Sequence, residues 1–194
     1  MFYSKNKFVG LSKISRRNIK NINGTDFRFR FIDPNNPGSK GGNSSVFIIS
    51  NAQVSNEEYA IKISNIHEGR VSASQERKKE RFEREIEALK IAKNKSLESV
   101  ISIIDDGIIS IKDREDEYDL RFYIMEKADK DLKEYVLSGN QLDVQEKIQI
   151  CANLCNSIDQ LNNIDIYHRD IKPDNIFNIL ELNLFYSLRL SKLI

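Results

Sequence analysis

The feature that most constrains this chain is a change in hydrophobic period part-way along it. Up to Met125 apolar residues come in short runs, several of them alternating; beyond Ala128 they recur at spacings of three and four. Thr25 to Ile32 sets Phe27, Phe29 and Phe31 against Arg28 and Arg30, the pattern of a half-buried strand. Val46-Phe47-Ile48-Ile49, Glu58 to Ser64, Val100 to Ile111 and Leu120 to Met125 are read as four further strands. The last two are joined by a long, exposed acidic connection through Asp113 to Glu117. Between the third and fourth strands the period turns helical, with Phe82, Ile86 and Leu89 on one face and Ser72-Ala73-Ser74-Gln75 as a capping box. After Ala128 the sequence predicts a short helix over Asp131 to Leu137 and a long one over Asp143 to Asn163. The long helix carries Ile148, Cys151, Leu154, Cys155, Ile158 and Leu161 as its apolar stripe. Five strands and one helix, followed by helices, make an α+β chain in two parts.

The 194 residues leave room for one large domain or two small lobes, and 40% hydrophobic with 30% charged residues is an ordinary globular composition. Thirty Lys and Arg against twenty-nine Asp and Glu leave a formal charge of +1, so no global field recruits nucleic acid or an anionic membrane. The mixed charges from Glu76 to Glu85 fit a solvated helix face better than a nucleic-acid patch. Cys151 and Cys155 are the only cysteines, and their place in the apolar stripe predicts buried thiols and a reducing, cytoplasmic setting. His67 and His168 are too far from each other and from the cysteines for a zinc spacing. The N-terminal residues 1–24 form a basic extension without the apolar stretch of a signal peptide. The apolar run Ile176 to Ile194 is interrupted by Glu181, Arg189 and Lys192, which argues against a membrane span.

The sharpest motif is Tyr167-His168-Arg169-Asp170-Ile171-Lys172-Pro173-Asp174-Asn175, directly after the long helix. It resembles the catalytic loop of the protein kinases, H-R-D-L-x-x-x-N, with Ile171 in the Leu position. Upstream, Tyr59-Ala60-Ile61-Lys62 resembles the strand-borne V-A-I-K motif of the same family. The resemblance runs from about Phe27 to Asn175. It implies a bilobal kinase-like fold, with an antiparallel five-stranded small lobe over residues 25–127 carrying one main helix. An incomplete helical lobe over residues 128–194 follows.

What the resemblance implies for individual residues is specific. Lys62 would hold the α- and β-phosphates of ATP, fixed by Glu85; Glu83 and Glu87 are rivals, but Glu85 adjoins the apolar stripe. Asp170 would orient or accept the substrate hydroxyl proton, Lys172 would neutralise charge on the transferred group, and Asn175 would ligate Mg²⁺. Lys172 followed by Pro173 is more like the Ser/Thr kinases than the Tyr kinases. His168 would pack the loop. The glycine-rich template G-x-G-x-x-G-x-V falls on Ser39 to Val46 and keeps only Gly41 of its three glycines, with Gly42 beside it. A plain hairpin turn is the competing reading there. Phe122 to Ala128 resembles the strand and hinge between lobes: Met125 would back the adenine pocket and the backbones of Glu126 and Ala128 would pair with the adenine edge. The competing reading is a buried strand with an exposed end. Val46 and Ala60 above, and Phe177 below, would sandwich the ring.

No glycine follows Gly139 and no proline follows Pro173, so neither D-F-G nor A-P-E can follow Asn175. The expectation is a chain that stops just before D-F-G, with weak or no phosphoryl transfer on its own and an apolar tail that invites a partner. The function expected is that of a Ser/Thr protein kinase using ATP and Mg²⁺ on a protein substrate. The alternative is a non-catalytic ATP-binding or scaffolding module.

Overall fold

Two adjacent strands carry the core of the first part of the chain. In Ser44–Asn51 (β6), Phe47 and Ile49 are fully buried while Val46 and Ile48 are half-buried, the alternation expected of a strand with two unequal faces. Its neighbour Glu58–His67 (β7) is buried without alternation from Ala60 through Ser64, which means that both of its faces are covered. The structure, a computed structural model, describes residues 2–4, 7–9, 19–20, 28–31, 39–40, 44–51, 57–67, 72–113, 116–139, 141–178 and 189–190. Before β6 come Phe2–Ser4 (β1), Lys7–Val9 (β2), Ile19–Lys20 (β3), Arg28–Phe31 (β4) and Ser39–Lys40 (β5). After β7 come the helix Ala73–Asn94 (α1) and the hairpin Ile103–Asp113 (β8) and Asp116–Glu126 (β9). The main sheet is antiparallel in the order β3-β4-β6-β7-β9-β8, with β5 paired to β6 and a separate β1-β2 pair. The five expected strands are therefore present, with two two-residue strands added at the sheet.

Two groups fall by contact into compact units, Met1–Phe82 with Ile103–Lys127 and Glu83–Ser102 with Ala128–Ile194. In the second, Lys130–Asp131 (β10), Ile176–Asn178 (β11) and Arg189–Leu190 (β12) form a small antiparallel sheet in that order. Leu132–Leu137 (α2) and Val144–Asn162 (α3) precede a 3₁₀ turn at Pro173–Asn175. Pro173 opens that turn, where its missing N–H costs nothing.

Helix starts follow local chemistry. Ser72 Oγ accepts from Gln75 N at 3.4 Å while Gln75 Oε1 accepts from Ser72 N at 2.9 Å, the expected capping box. Asp143 and Glu146 form a second box at the start of α3, each side chain accepting the other's backbone N–H at 2.8 Å. Asp131 caps α2 instead of entering it, accepting from Glu134 N.

Three expectations need correction. The connection between β8 and β9 is short, because the ladder continues to Asp113 opposite Asp116; Arg114 and Glu115 lie outside the described residues. The polar ends of that hairpin are held by backbone pairing, which needs no apolar alternation. The fourth strand begins at Ile103, not Val100. On α3 the buried residues are Ile150, Ser157 and Leu161, while Cys151, Cys155 and Ile148 are exposed. Periodicity identified the helix and its buried Leu161, but the covered face is turned toward Ile150 and Ser157, with Leu154 and Ile158 half-buried. Most of the apolar run after Asn178 lies outside the described residues, as do Gly41 and Gly42. Among the described residues no helix is long and apolar enough to cross a membrane.

Candidate active site

In the first unit, register decides which side chains share a face. Val46 stands opposite Lys62 and Lys62 opposite Tyr123; Ile48 stands opposite Ala60 and Ala60 opposite Met125. Cross-strand partners and residues two apart point the same way, so Val46, Ala60, Lys62, Tyr123 and Met125 occupy one face of β6, β7 and β9. The register slips only beyond Ile63, where Ser64 Oγ accepts from Ile66 N at 3.2 Å. Lys62 is 7% exposed. Its Nζ lies 5.5 Å from the Tyr123 ring centroid and 6.0 Å from that of Phe82, and these two rings pack at 5.6 Å with a 42° tilt. The aromatic faces offer the ammonium a favourable electrostatic setting.

Sequence reasoning placed Phe82 only in a packing stripe and gave Tyr123 no task; their joint role follows from β7–β9 register and a helix contact that no local spacing encodes. Glu126 ends β9 opposite Tyr59, and Lys127 pairs with Glu58 at 2.6 Å, which ties the end of β9 to the start of β7. Tyr59 Oη donates to Glu57 Oε2 at 2.8 Å; partial burial and this acidic acceptor raise the phenol above its usual pKa. On α1, Glu85, which falls in the second unit, is 7% exposed beside the buried Ile86 and Leu89 of its own helix. A carboxylate so placed needs a partner, and it is not without one.

In the second unit, the loop before the 3₁₀ turn gathers three predicted residues around one carboxylate. Asn175, 4% exposed, donates its Nδ2 to the Asp170 carbonyl at 2.7 Å and to Asp170 Oδ2 at 2.9 Å. Lys172 Nζ lies 3.7 Å from the same Oδ2. The buried His168 accepts the Asp170 backbone N–H on Nδ1 at 3.3 Å, so it braces the loop from within. Arg169, between them, has φ of 54°, a left-handed conformation that costs energy for any residue with a Cβ and is held here by the flanking contacts. Asp170 is thus a half-exposed carboxylate held in one orientation by the Asn175 amide, with the Lys172 ammonium beside it.

Asn175 meets Asp170 through its nitrogen only, so Oδ1, the atom that ligates hard cations, is not consumed by that pair. Among the described residues no three His, Cys, Asp or Glu groups cluster as an all-protein metal site. Mg²⁺ seldom uses such a cage and takes one or two protein oxygens together with phosphates, so the donor set here fits it. Phe177 sits in β11 opposite Asp131 and Arg189, half-buried, and Ala128 is half-buried just after β9.

Residues 38–184, more than half of the chain, match the protein kinase domain family. The chain is 29% identical over 119 residues to the serine/threonine-protein kinase cds1 of Schizosaccharomyces pombe, covering 61% of this chain and 24% of that protein. It is 25% identical over 147 residues to a mitogen-activated protein kinase homolog, NTF6, of Nicotiana tabacum, covering 76% and 36%. To the serine/threonine-protein kinase PrkC of Bacillus subtilis it is 34% identical over 80 residues, covering 41% and 12%. The chain thus spans about a third or less of the length of these relatives.

Proposed function

The chain belongs to the protein kinase domain family, and from that premise we propose that it transfers the γ-phosphoryl group of ATP to serine or threonine hydroxyls of a protein. The observation that carries this reading is the Asp170 carboxylate held by Asn175 with the Lys172 ammonium at 3.7 Å. Asp170 accepts the proton of the substrate hydroxyl as its oxygen attacks the γ-phosphorus. The bond from that phosphorus to the β,γ-bridging oxygen breaks, and the electron pair leaves with ADP. Lys172 offsets charge on the transferred group. Lys62 holds the α- and β-phosphates as a point charge, with Glu85 as its acidic counterpart.

Val46, Ala60 and Met125 supply an apolar face of the kind an adenine ring packs on, and the backbones of Glu126 and Ala128 pair with the ring edge. Phe177 is assigned to the same adenine ring, and Gly41 and Gly42 to the phosphates as backbone N–H donors. Asn175 Oδ1 would hold Mg²⁺, which would neutralise phosphate charge. The relatives named above as serine/threonine kinases support the choice of hydroxyl, as does Lys172-Pro173. Two free, exposed thiols on α3 accord with a reducing, cytoplasmic setting.

The test is incubation of the purified chain with Mg²⁺ and γ-labelled ATP on a generic protein substrate, followed by phosphoamino-acid analysis. Phosphoserine and phosphothreonine are expected, at the low level that the absence of D-F-G from these 194 residues implies. Binding of ATP with no label transferred would instead favour a non-catalytic nucleotide-binding module.

A further inference from the structure

Two ties join the segment around α2 to the turn that carries Asn175, and they fall on either side of that residue. On its C-terminal side, β10 pairs with β11 in the register Asp131 opposite Phe177 and Lys130 opposite Asn178. On its N-terminal side, Lys133 Nζ meets Asp174 Oδ1 at 2.9 Å. Asn175 is therefore clamped between an ion pair at the preceding residue and a strand ladder just beyond it. Its own backbone N–H donates to Lys172 O at 2.9 Å, closing the turn.

We propose that Lys133 is a positioning residue for phosphoryl transfer: by holding Asp174 it fixes the turn from which Asn175 orients Asp170. The residue comes from a different segment, 41 positions away, and touches none of the reacting groups. Helix α2 has six residues and none of them is fully buried, with only Leu132 and Tyr135 half-buried, so length and packing alone hold it weakly. The Asp131 cap on Glu134 N, the β10–β11 ladder and the Lys133–Asp174 pair help to place it. Asp131 does two jobs here, since it also pairs across to Phe177. Asp174 holds the Lys133 ammonium above its ordinary pKa, chiefly through the side-chain hydrogen bond, which accords with a formed pair.

The pair is exposed, at 56% and 42% for the two side chains, so its influence is modest and salt-sensitive. The inference rests on the proposed function for its catalytic consequence, but its structural consequence is measurable without nucleotide. The experiment compares the full chain with Lys133→Ala, Lys133→Arg and Asp174→Asn by ¹⁵N NMR, following the Asn175 side-chain amide and backbone N–H. Lys133→Ala and Asp174→Asn are expected to shift the Asn175 side-chain signals and raise its backbone exchange rate about two- to five-fold at low salt, the range an exposed ion pair supports. Lys133→Arg is expected to restore both, and 0.5 M salt to shrink the difference between the native chain and Lys133→Ala. In a transfer assay the same alanine variant lowers kcat by a similar factor and leaves KM for ATP unchanged. Asn175 signals that do not move in Lys133→Ala overturn the proposal. Signals that move in a chain transferring no phosphate uphold the positioning role and count against the proposed function alone.

Discussion

The side-chain amide of Asn175 donates to both the carbonyl and the carboxylate of Asp170, at 2.7 and 2.9 Å, five residues back along the chain. The double contact closes the loop on itself and sets the direction of a carboxylate that would otherwise rotate freely. Loop residues can hold a catalytic geometry only when something of this kind removes their freedom.

Removing that amide has a predictable effect. Asn175→Ala leaves the Asp170 carbonyl without its donor and should destabilise the chain by about 1–3 kcal/mol. Asn175→Asp sets a second carboxylate against the first, so its deficit at neutral pH should shrink as the pH falls and one of the two protonates. Urea midpoints across pH check both.

The aromatic pair beside Lys62 makes a second prediction. Phe82 is 6% exposed and packs on Tyr123, so Phe82→Ala should cost about 3–5 kcal/mol, and Phe82→Leu, which keeps most of the volume, under about 1.5 kcal/mol. Thermal or chemical unfolding of the two variants decides this. Equal losses would mean that the ring is not part of a packed core.

The capping box of α3 is a third. Asp143→Ala removes the acceptor for Glu146 N and should cost about 1 kcal/mol, whereas Asp143→Asn keeps an acceptor and should lose only a fraction of that. Far-ultraviolet circular dichroism during urea unfolding gives the comparison.

Tyr59 provides a pH dependence. Its phenol is raised above 10.0, first by burial and then by its hydrogen bond to Glu57. With the folded pKa above the unfolded one, the unfolded chain loses its proton first as the pH rises. The stabilisation is therefore fully present below about pH 10 and lost as the pH climbs through the folded value. Tyr59→Phe should remove one late-titrating component from the tyrosinate absorbance and reduce the alkaline loss of stability.

Much of this fold was legible because local chemistry wrote it. The alternation at Phe47 and Ile49, the Ser72–Gln75 box and Asp143 each mark an element where the structure has one. The β8–β9 hairpin ends escaped because Asp113 and Asp116 are held through the backbone, not through apolar side chains. The covered face of α3 escaped for a different reason: a stripe of Cys151 and Cys155 says that a helix is amphipathic, and says nothing about which neighbour covers it. At the site, the loop from His168 to Asn175 could be read as a motif. The common face of Val46, Ala60, Lys62 and Met125 needed strand register, and the Lys133–Asp174 pair joins positions too far apart for any local pattern.

We propose that Lys62 and Asp170 are both required for phosphoryl transfer. That requirement is tested most directly by the rate at which the purified chain moves label from γ-labelled Mg-ATP to a protein substrate, measured beside Lys62→Ala and Asp170→Ala. Weak transfer to serine and threonine is expected, which each substitution lowers by at least about 100-fold. Transfer left undiminished by Lys62→Ala or by Asp170→Ala would contradict it.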